Sequence, residues 1–486
     1  MSNFYVACDL SAESGRVVLG ILSQGELTLS EVRRFENLPI RDKDSLQWNI
    51  PQLYQETLTG LRAVGAYEED INSISCDSWA GDYLLFESDS SLITPTYHHA
   101  DPRSKEGMRK VLAKVRAESL YEETGVCPGP ASTFFQLGAE RPKRLSRAAH
   151  LLPVADAFNF LLAGVPRCEL SQASTTQLYN PVTHAWSERL LDSLDLPTTL
   201  LPPLVPAGTE LGPLRPEIGK STGLQDALVV ASCSHETAAA LAGLPVTPGE
   251  SWAYLQLGSW TVMGTELASP IIADTSRALN FTNEAGFGGS IRFSKRTIGL
   301  SILEECRRFW KEQDREIDDG LLSHLAGSSP PFDSLINPAD PRFQEPGDMP
   351  LKIQAFCRET RQPVPRKPGP IIRCVMESLA LQYRRTLQEI EELTARQISR
   401  IYLLGGSTNA LLKHFIANAL RLPVVVIPPD AAATGNVIVQ ALALRHLKSR
   451  EEARDILRNS LKTETLVPYA TAWDTAFDRL RHLCPA

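Results

Sequence analysis

Short runs of β-branched and aromatic residues, separated by small or polar turns, open the chain. After them, apolar residues recur at helical spacing and then return to short strand-like runs. The pattern predicts, in order, strands at 4–9, 16–21 and 27–35, a helix at about 51–64, strands at 71–77 and 82–87, and a helix that starts near 101. A strand meander that leads into helices and further strands is typical of an α/β layer.

A second series of the same kind follows the turn at 244–249, which contains proline and glycine. It predicts strands at 252–258 and 260–265, helices at 299–311 and 371–394, a buried strand at 398–404, a helix at 409–420, a strand at 423–427 and a helix at 433–447. With 486 residues the chain is too long for one typical core. We therefore expect two α/β domains, 1–245 and 246–486, with a cleft between them and room for the last helices to pack back on the first domain.

Composition narrows the possible partners and compartment. The net charge is −8 and both signs are interspersed, which argues against nucleic acid or an anionic membrane as the main partner. No apolar run approaches the ~20 residues that span a bilayer, and the first residues lack a signal peptide's charge and apolar stretch. Nine scattered cysteines without a CxxC pair suggest a reducing compartment, so we expect a cytoplasmic protein. Whether Cys357 and Cys374 pair across the proline-rich segment 362–370 stays open.

Two turns could hold phosphate groups. Residues 9–16 join two predicted strands through small, hydroxyl-bearing residues, and Asp9 at the strand end could hold the hydration shell of Mg²⁺. A β-hairpin with a polar tip explains this segment as well. Gly258 and Ser259 repeat the pattern at the start of the second half. Phosphoryl transfer between facing domains needs donors from both sides. The two hairpins together therefore indicate a phosphate site more strongly than either hairpin alone.

Three other segments have possible chemical roles. Gly405 and Gly406 lie in a turn between a predicted strand and a predicted helix, where a backbone could approach a nucleotide, although a plain strand-to-helix turn is the alternative. The segment 234–237, Ser-His-Glu-Thr, places an acid in a polar turn. The pair at 98–99, His-His, has no third ligand at useful spacing, so a solvated or sugar-facing turn is favoured over a metal site.

Taken together, these residues resemble the FGGY family of carbohydrate kinases, and within it the rhamnulokinase type. The resemblance is colinear over nearly the whole chain and implies an actin-like (ribonuclease H-like) fold of two domains. It rests on segments 9–16, 76–79 with Asp82, 101–103, 173–178, 234–237, 258–260 and 282–284, and on Gly405, Gly406 and Asn409.

The resemblance also implies a role for each matching position. The family's base corresponds to Glu236, which would take the proton from the attacking hydroxyl. Positions implied to contact ATP are Asp9, Ser14, Gly15, Arg16, Gly258, Ser259, Glu304, Gly405, Gly406 and Asn409, with Asp9 also facing Mg²⁺. Positions implied to contact the sugar are Trp79, Ala80, Asp82, His235, Thr237 and Arg296.

The departures from the family pattern lie at these same positions. The usual aspartate base is replaced by Glu236, and the other changes are glycine to Ser11 and Ala80, threonine to Ser259, asparagine to Arg296 and glutamine to Glu304. Reference pKa values of ~3.9 for Asp and ~4.3 for Glu are nearly equal, so reach rather than basicity is at issue. A misplacement of ~1 Å can cost ~10²-fold in rate. Arg296 could bind an acidic group of the substrate, or could pair with Glu236 and silence it.

The sequence therefore predicts an ATP- and Mg²⁺-dependent kinase that phosphorylates a primary hydroxyl of a ketose, with L-rhamnulose or a related sugar as the first candidate. A small-molecule sugar is the expected partner, and the protein would be a monomer or a homodimer. Two alternatives stay open: a kinase for an acidic sugar recognised by Arg296, and a catalytically silent sugar- or nucleotide-binding protein derived from a kinase. A structural protein of the actin-like fold ranks below both, because it would not need the 234–237 segment.

Overall fold

The computed structural model describes residues 2–68, 70–405, 409–469 and 472–484. The chain forms two compact units, and both are discontinuous in sequence. The first comprises Met1–Pro248, Glu266–Phe293 and Asp430–Leu461, and the second comprises Gly249–Thr265, Ser294–Pro429 and Lys462–Ala486. The proposed domain division at residue 245 stays a prediction. Within the described ranges, no helix has both the length and the apolar character of a membrane span.

The strands are mostly short, and the longest lie at the start of the chain. In chain order they are β1 Asn3–Leu10, β2 Ser14–Ser23, β3 Glu26–Glu36, β4 Ile40–Asp42, β5 Ser45–Trp48, β6 Ile71–Ser78, β7 Tyr83–Phe86, β8 Thr96–Tyr97, β9 His150–Pro153, β10 Cys168–Glu169, β11 Tyr179–Asn180, β12 Ala185–Trp186, β13 Leu204–Val205, β14 Thr209–Pro213, β15 Leu228–Ala231, β16 Trp252–Gln256, β17 Trp260–Leu267, β18 Phe281–Ala285, β19 Ile291–Ile298, β20 Arg400–Leu404, β21 Val424–Val426 and β22 Glu464–Leu466.

Helices connect these strands. In chain order they are α1 Ile50–Tyr67, α2 Arg103–Leu112, α3 Ala117–Thr124, α4 Thr133–Leu137, α5 Pro142–Leu145, α6 Val154–Ala163, α7 Leu170–Thr175, α8 Glu188–Ser193, α9 Pro216–Thr222, α10 Glu236–Ala242, α11 Asp274–Ala278, α12 Ser301–Lys311, α13 Asp319–Gly327, α14 Met349–Glu359, α15 Pro368–Thr394, α16 Ala410–Leu420, α17 Ala431–Ala443, α18 Arg450–Ser460 and α19 Trp473–Leu483. Short 3₁₀ turns lie at Thr198–Leu200, Phe287–Gly289 and Pro341–Phe343.

The first unit is built on a sheet with the strand order β14-β15-β6-β1-β2-β3. Strand β1 pairs antiparallel with β2 and parallel with β6, so it is central and buried on both faces. Because side chains alternate along a strand, Val6 points to the core under α1 and α6, while Tyr5 and Ala7 point to the core beside α17. Burial on both faces explains why β1 is a nearly continuous apolar run.

The second unit repeats this pairing. Its sheet contains the order β19-β17-β16-β20-β21-β22, in which β16 pairs antiparallel with β17 and parallel with β20. The predicted strands and helices are found in both units, with ends that differ by a few residues. The largest difference is at α17, predicted to reach residue 447, which ends at Ala443 because Arg445 adopts the left-handed conformation at φ 59°.

Helices α10 and α17 of the first unit make a very close backbone contact. A Cβ atom on Gly435 would lie 1.7 Å from the carbonyl oxygen of Ala239. Only glycine permits this approach, because any side chain would force the two helices apart. The first turns of α10 are therefore held tightly against α17.

Candidate active site

Two carboxylates lie side by side where β1 and β6 end. Asp9 and Asp77 are register partners on these parallel strands, and both are buried. The Oδ1 atom of Asp77 accepts a hydrogen bond of 2.6 Å from Asn436 on α17, while its buried Oδ2 atom has no partner within the described part of the chain. Burial raises the pKa of Asp77 well above its usual value, and the nearby charges of Asp9 and Glu236 add to the effect. The surroundings of Asp77 therefore favour the neutral form of its carboxyl group.

Arg16 balances the charge of Asp9. It lies opposite Asp9 on β2 and forms ion pairs with Asp9 and, at 2.5 Å, with Asp430. Burial alone would lower the pKa of Arg16, but the adjacent Asp9 and Asp430 raise it above its usual value. Of the predicted phosphate contacts, Arg16 is thus directed at Asp9 in this structure.

The turn between β1 and β2 is closed by its own hydroxyl groups. The backbone N–H and the hydroxyl of Ser11 both donate to the carbonyl oxygen of Ser14, at 2.7 and 2.9 Å. A Cβ atom on Gly15 would lie 2.2 Å from the ring of Phe35, so packing by itself requires glycine there. The predicted contacts of Ser14 and Gly15 with ATP stay predictions.

The acid of the Ser-His-Glu-Thr segment opens α10. The end of β6 holds this segment, because the N–H of Ser78 donates to the carbonyl oxygen of Ser234 at 2.8 Å. Desolvation, reinforced by the charge of Asp9, raises the pKa of Glu236 to about 7, and Arg292 opposes that rise. Glu236 is thus a carboxyl group that titrates near neutral pH, a property suited to a general base.

A buried arginine lies beside the same segment. Arg292, on β19, is 1% exposed and forms an ion pair with Glu284. Its Nη2 atom is 2.7 Å from Nδ1 of His235. In the first unit, the guanidinium that acts on Glu236 is therefore Arg292, whereas Arg296 belongs to the second unit.

Two further carboxyl groups accept hydrogen bonds from the Ser-His-Glu-Thr segment. Asp156 Oδ1 accepts a hydrogen bond of 2.7 Å from the hydroxyl of Ser234, and Glu169 Oε2 accepts one of 2.9 Å from its N–H. Glu169 also accepts from Ser171, whose hydroxyl oxygen accepts a hydrogen bond of 3.0 Å from the N–H of His235. Burial, reinforced by the charge of Glu169, raises the pKa of Asp156 to about 8. Burial also raises the pKa of Glu169 to about 7, although its hydrogen bonds and the charge of Arg292 oppose the rise. These hydrogen bonds fix the backbone immediately before Glu236.

An aromatic cluster surrounds the predicted sugar contacts Trp79 and Asp82. Asp82 Oδ2 accepts hydrogen bonds from the indole N–H groups of Trp48 and Trp79, at 2.7 and 2.8 Å, and from His99 at 2.8 Å. Its Oδ1 atom accepts from Gln136 at 2.9 Å. Although burial opposes ionisation, these hydrogen bonds, led by that from His99, lower the pKa of Asp82. Asp82 therefore orients the two indole rings, and its contact with a sugar stays a prediction.

The remaining predicted sugar contacts of the first unit are Ala80 and Thr237. Ala80 is partly exposed and follows Trp79, and Thr237 is buried in the first turn of α10. Among the described residues, no group of three or more His, Cys, Asp or Glu side chains could hold a metal ion by itself. In the histidine pair at 98–99, His99 donates a hydrogen bond to Asp82, and the solvated or sugar-facing turn stays a prediction.

The second unit carries the other hairpin. Ser259 donates a hydrogen bond of 2.8 Å to Glu304 at the start of α12, and the carbonyl oxygen of Gly258 accepts from the N–H of Leu300 at 2.8 Å. The guanidinium of Arg296 lies 4.7 Å from the ring centroid of Trp260, which is 45% exposed. The structure therefore brings Ser259, Glu304, Arg296 and Trp260 into one unit.

The glycine turn after β20 also lies in the second unit. Gly405 has φ +100°, and a Cβ atom there would lie 2.3 Å from the carbonyl oxygen of Leu257. Asn409 caps α16, since its side chain accepts a hydrogen bond of 3.0 Å from the N–H of Leu412. Gly406 lies outside the described residues. Cys357 and Cys374 are both free thiols.

Sequence reasoning missed several groups around Glu236. Arg292, Asp156, Glu169 and Asp430 stand in segments without a motif, and each acts through partners far away in the sequence. The segment Thr282-Asn283-Glu284 was the one local signal, because it contains the ion-pair partner of Arg292.

Comparison with known proteins agrees with this arrangement. The N-terminal domain model of the FGGY family of carbohydrate kinases matches residues 4–243, and the C-terminal domain model matches residues 253–444. The rhamnulokinase of Bacteroides thetaiotaomicron is 36% identical over 98% of this chain and 98% of that protein. The rhamnulokinase of Enterococcus faecalis is 35% identical over 95% of this chain and 93% of that protein.

Solved structures share the fold at low identity. A xylulose kinase from Lactobacillus acidophilus superposes with a TM-score of 0.83 at 15% identity, covering 99% of this chain and 98% of that one. A glycerol kinase from Plasmodium falciparum with ADP gives 0.80 at 12% identity, covering 99% and 96%. The predicted two-domain α/β kinase fold is confirmed. Because both domain models match and relatives above 30% identity align over nearly the full length, the chain belongs to the FGGY family of carbohydrate kinases.

Proposed function

We propose that the protein transfers the γ-phosphoryl group of ATP to a primary hydroxyl of a ketose, with Glu236 as the general base and L-rhamnulose as the first candidate substrate. The near full-length relatives named rhamnulokinase support the choice of sugar. The observation that carries the proposal is the environment of Glu236, which raises its pKa to about 7. A base is most effective when its pKa lies near the working pH, because it is then both ionised and basic.

The longer side chain of glutamate is compatible with this role. The backbone before Glu236 is fixed by hydrogen bonds from Ser234 to Asp156 and Glu169. Its first helical turn is fixed by the close contact between α10 and α17. With the backbone fixed, the carboxyl group of Glu236 has a defined reach of one methylene more than aspartate, which a pocket shaped around it can accommodate.

The buried carboxyl groups of the first unit suit a hydrated Mg²⁺ ion. Among the described residues the Oδ2 atom of Asp77 has no hydrogen-bond partner, and its register partner Asp9 supplies a carboxylate, a type of ligand that Mg²⁺ prefers. Mg²⁺ in kinases is usually held by one or two carboxylates together with substrate phosphates. When bound, the ion would neutralise charge on the phosphates. Asp9 would hold it through water, and Arg16 would keep its ion pair with Asp9.

The second unit would hold the nucleotide. Ser259 and the backbone of Gly258 lie at the tip of its hairpin, and Gly405, which packs closely against the carbonyl oxygen of Leu257, forms the turn after β20. Glu304 accepts a hydrogen bond from Ser259 and so orients its hydroxyl group. These contacts with ATP are part of the proposal.

The test is ADP production with Mg²⁺-ATP across a panel of ketoses that includes L-rhamnulose, L-fuculose, L-ribulose, D-xylulose and a keto-acid sugar. Wild type is compared with Glu236→Ala and Glu236→Asp, and Glu210→Ala, at an exposed position of β14, is the matched control. We expect sugar-dependent turnover that Glu236→Ala reduces ~10²–10⁴-fold and Glu210→Ala leaves unchanged.

Other results would contradict the proposal. Turnover that is absent in wild type and gained in Glu236→Asp would identify a silent binding protein with a disabled base. Preference for the keto-acid sugar, lost in Arg296→Gln, would replace L-rhamnulose by an acidic substrate.

A further inference from the structure

Arg292 and His235 form a buried pair in which the direction of the hydrogen bond is defined. Arg292 is 1% exposed, and its Nη2 atom lies 2.7 Å from Nδ1 of His235. The same guanidinium pairs with Glu284 and donates to the carbonyl oxygen of Ala285 at 3.4 Å. Arg292 is thus held on three sides.

This contact determines where the imidazole proton lies. A guanidinium group has donors and no acceptor, so Nδ1 of His235 must accept the hydrogen bond. The proton of the neutral ring is then on Nε2. The charge of Arg292 also disfavours a second proton on the ring, and together with burial it keeps the pKa of His235 well below its usual value. The imidazole therefore remains neutral with Nε2–H as its one donor.

The position of this donor suggests what it recognises. Nε2 lies across the ring from Nδ1, and His235 keeps 8% of its surface exposed. The next residue in the chain is Glu236, whose ionised form only accepts hydrogen bonds. A fixed donor and a fixed acceptor thus stand on consecutive residues.

We propose that Arg292 fixes His235 as an obligate Nε2–H donor, and that this donor recognises the C2 oxygen of the ketose while Glu236 takes the proton of the neighbouring C1 hydroxyl. This inference rests on the proposed function. In the open chain of a ketose the C2 oxygen, next to the reacting hydroxyl, is a carbonyl oxygen. In the cyclic form it is the hydroxyl oxygen on the anomeric carbon, and both oxygens accept hydrogen bonds. Arg292 is a positioning residue here, since it acts through His235.

The first experiment measures the tautomer directly and needs no turnover. Long-range ¹H–¹⁵N correlation spectra of the histidine-labelled full chain are recorded between pH 5 and 9, and His235→Gln assigns the signal. We expect the His235 ring to be the neutral Nε2–H tautomer throughout this range. In Arg292→Met the ring should instead become a mixture of tautomers or titrate closer to pH 6.5. An Nδ1–H tautomer, or a ring that gains a proton above pH 5 in wild type, would overturn the inference.

The second experiment measures recognition. kcat/KM is determined for L-rhamnulose and its 2-deoxy analogue in wild type, His235→Gln and His235→Asn, because a glutamine amide places N–H near the position of Nε2 and an asparagine amide near that of Nδ1. We expect kcat/KM of wild type to be ~10-fold lower on the analogue than on L-rhamnulose. His235→Asn should lose a similar factor in kcat/KM on L-rhamnulose and show no further loss on the analogue. His235→Gln should retain most of the wild-type activity.

Equal rates of wild type on both sugars, or a His235→Asn loss that persists on the analogue, would contradict recognition of the C2 oxygen. If no sugar in the panel is turned over, the proposed function fails while the tautomer measurement still decides the role of Arg292.

Discussion

The hairpins of the two units share their strand pairing and differ in their chemistry. Each central strand pairs antiparallel with the next strand and parallel with a later one, β6 in the first unit and β20 in the second. A polar residue followed by leucine stands at the end of each strand, with the polar residue at Asp9 in the first and at Gln256 in the second. The partner of Asp9 across the parallel pair is Asp77, whereas the partner of Gln256 is Leu404.

The difference shows how one local architecture can serve two tasks. In the first hairpin, buried carboxyl groups face a buried arginine, so charges interact strongly in a medium of low dielectric constant. In the second hairpin, the corresponding contact is the solvent-exposed hydrogen bond from Ser259 to Glu304. We therefore expect substitutions in the first hairpin to change charge chemistry and those in the second to change ligand placement.

The largest effect is expected for Asp9→Asn. The substitution keeps the side chain's shape but removes the charge that pairs with Arg16 and that would hold Mg²⁺, so kcat should fall ~10²–10³-fold. Gln256→Leu at the corresponding position of the second hairpin is the matched variant, and its kcat should fall much less. Steady-state ADP release measures both, and equal losses in the two variants would show that the hairpins do not divide the tasks.

The next effect concerns the pH dependence of folding stability at Asp156, which accepts a hydrogen bond from Ser234 just before Glu236. Asp156 has its pKa raised to about 8 in the folded state from an ordinary value near 3.8, so the stability it contributes is complete below pH ~4 and is lost as pH rises through 8. The substitution Asp156→Asn removes this loss of stability at high pH. The free energy of unfolding of the variant, relative to wild type, should rise by about 3 kcal/mol between pH 5 and pH 8. Urea titrations at both pH values measure it, and Asp192→Asn, on an exposed part of α8, should leave the pH dependence unchanged.

A pH profile of the reaction gives the third prediction. Glu236 must be ionised to act as a base, and its pKa is raised to about 7, so kcat/KM should rise with pH and reach its plateau above pH 8. At pH 6 the rate should be ~10-fold below the plateau. Ser259→Ala in the second hairpin should keep the same midpoint, whereas Asp9→Asn should move it to lower pH because the charge of Asp9 raises the pKa of Glu236. A flat profile between pH 5.5 and 8.5 would exclude Glu236 as the titrating base.

The smallest effect is expected for Ser259→Ala. It removes one exposed hydrogen bond to Glu304 and the proposed contact with phosphate, so KM for ATP should rise about fivefold with kcat nearly unchanged. Initial rates at varied ATP measure the two constants. A fall in kcat as large as that of Asp9→Asn would contradict the comparison.

Much of the fold follows from the sequence, because strands such as β1 and helices such as α15 carry strong local patterns. Strand β1 was predicted at 4–9 and spans Asn3–Leu10, and α15 was predicted at 371–394 and spans Pro368–Thr394. The assignment of Glu236 as the base rests on a resemblance to a known motif and stays a prediction. The groups that set its environment could not be predicted, since Arg292 reaches His235 across 57 residues and Asn436 reaches Asp77 across 359. Contacts between residues so far apart in the sequence form only when the chain folds, and the burial and charge interactions that set a pKa depend on these contacts.

The late position of α17 in the chain has a consequence for synthesis on the ribosome. When residues 1–248 have been translated, the surface of α10 that will meet Gly435 is uncovered, and Asp77 lacks the amide of Asn436. The first unit can complete its packing only after residues 430–461 emerge from the ribosome. A nascent chain that stalls before this point should therefore expose small apolar residues of α10 and be a substrate for chaperones.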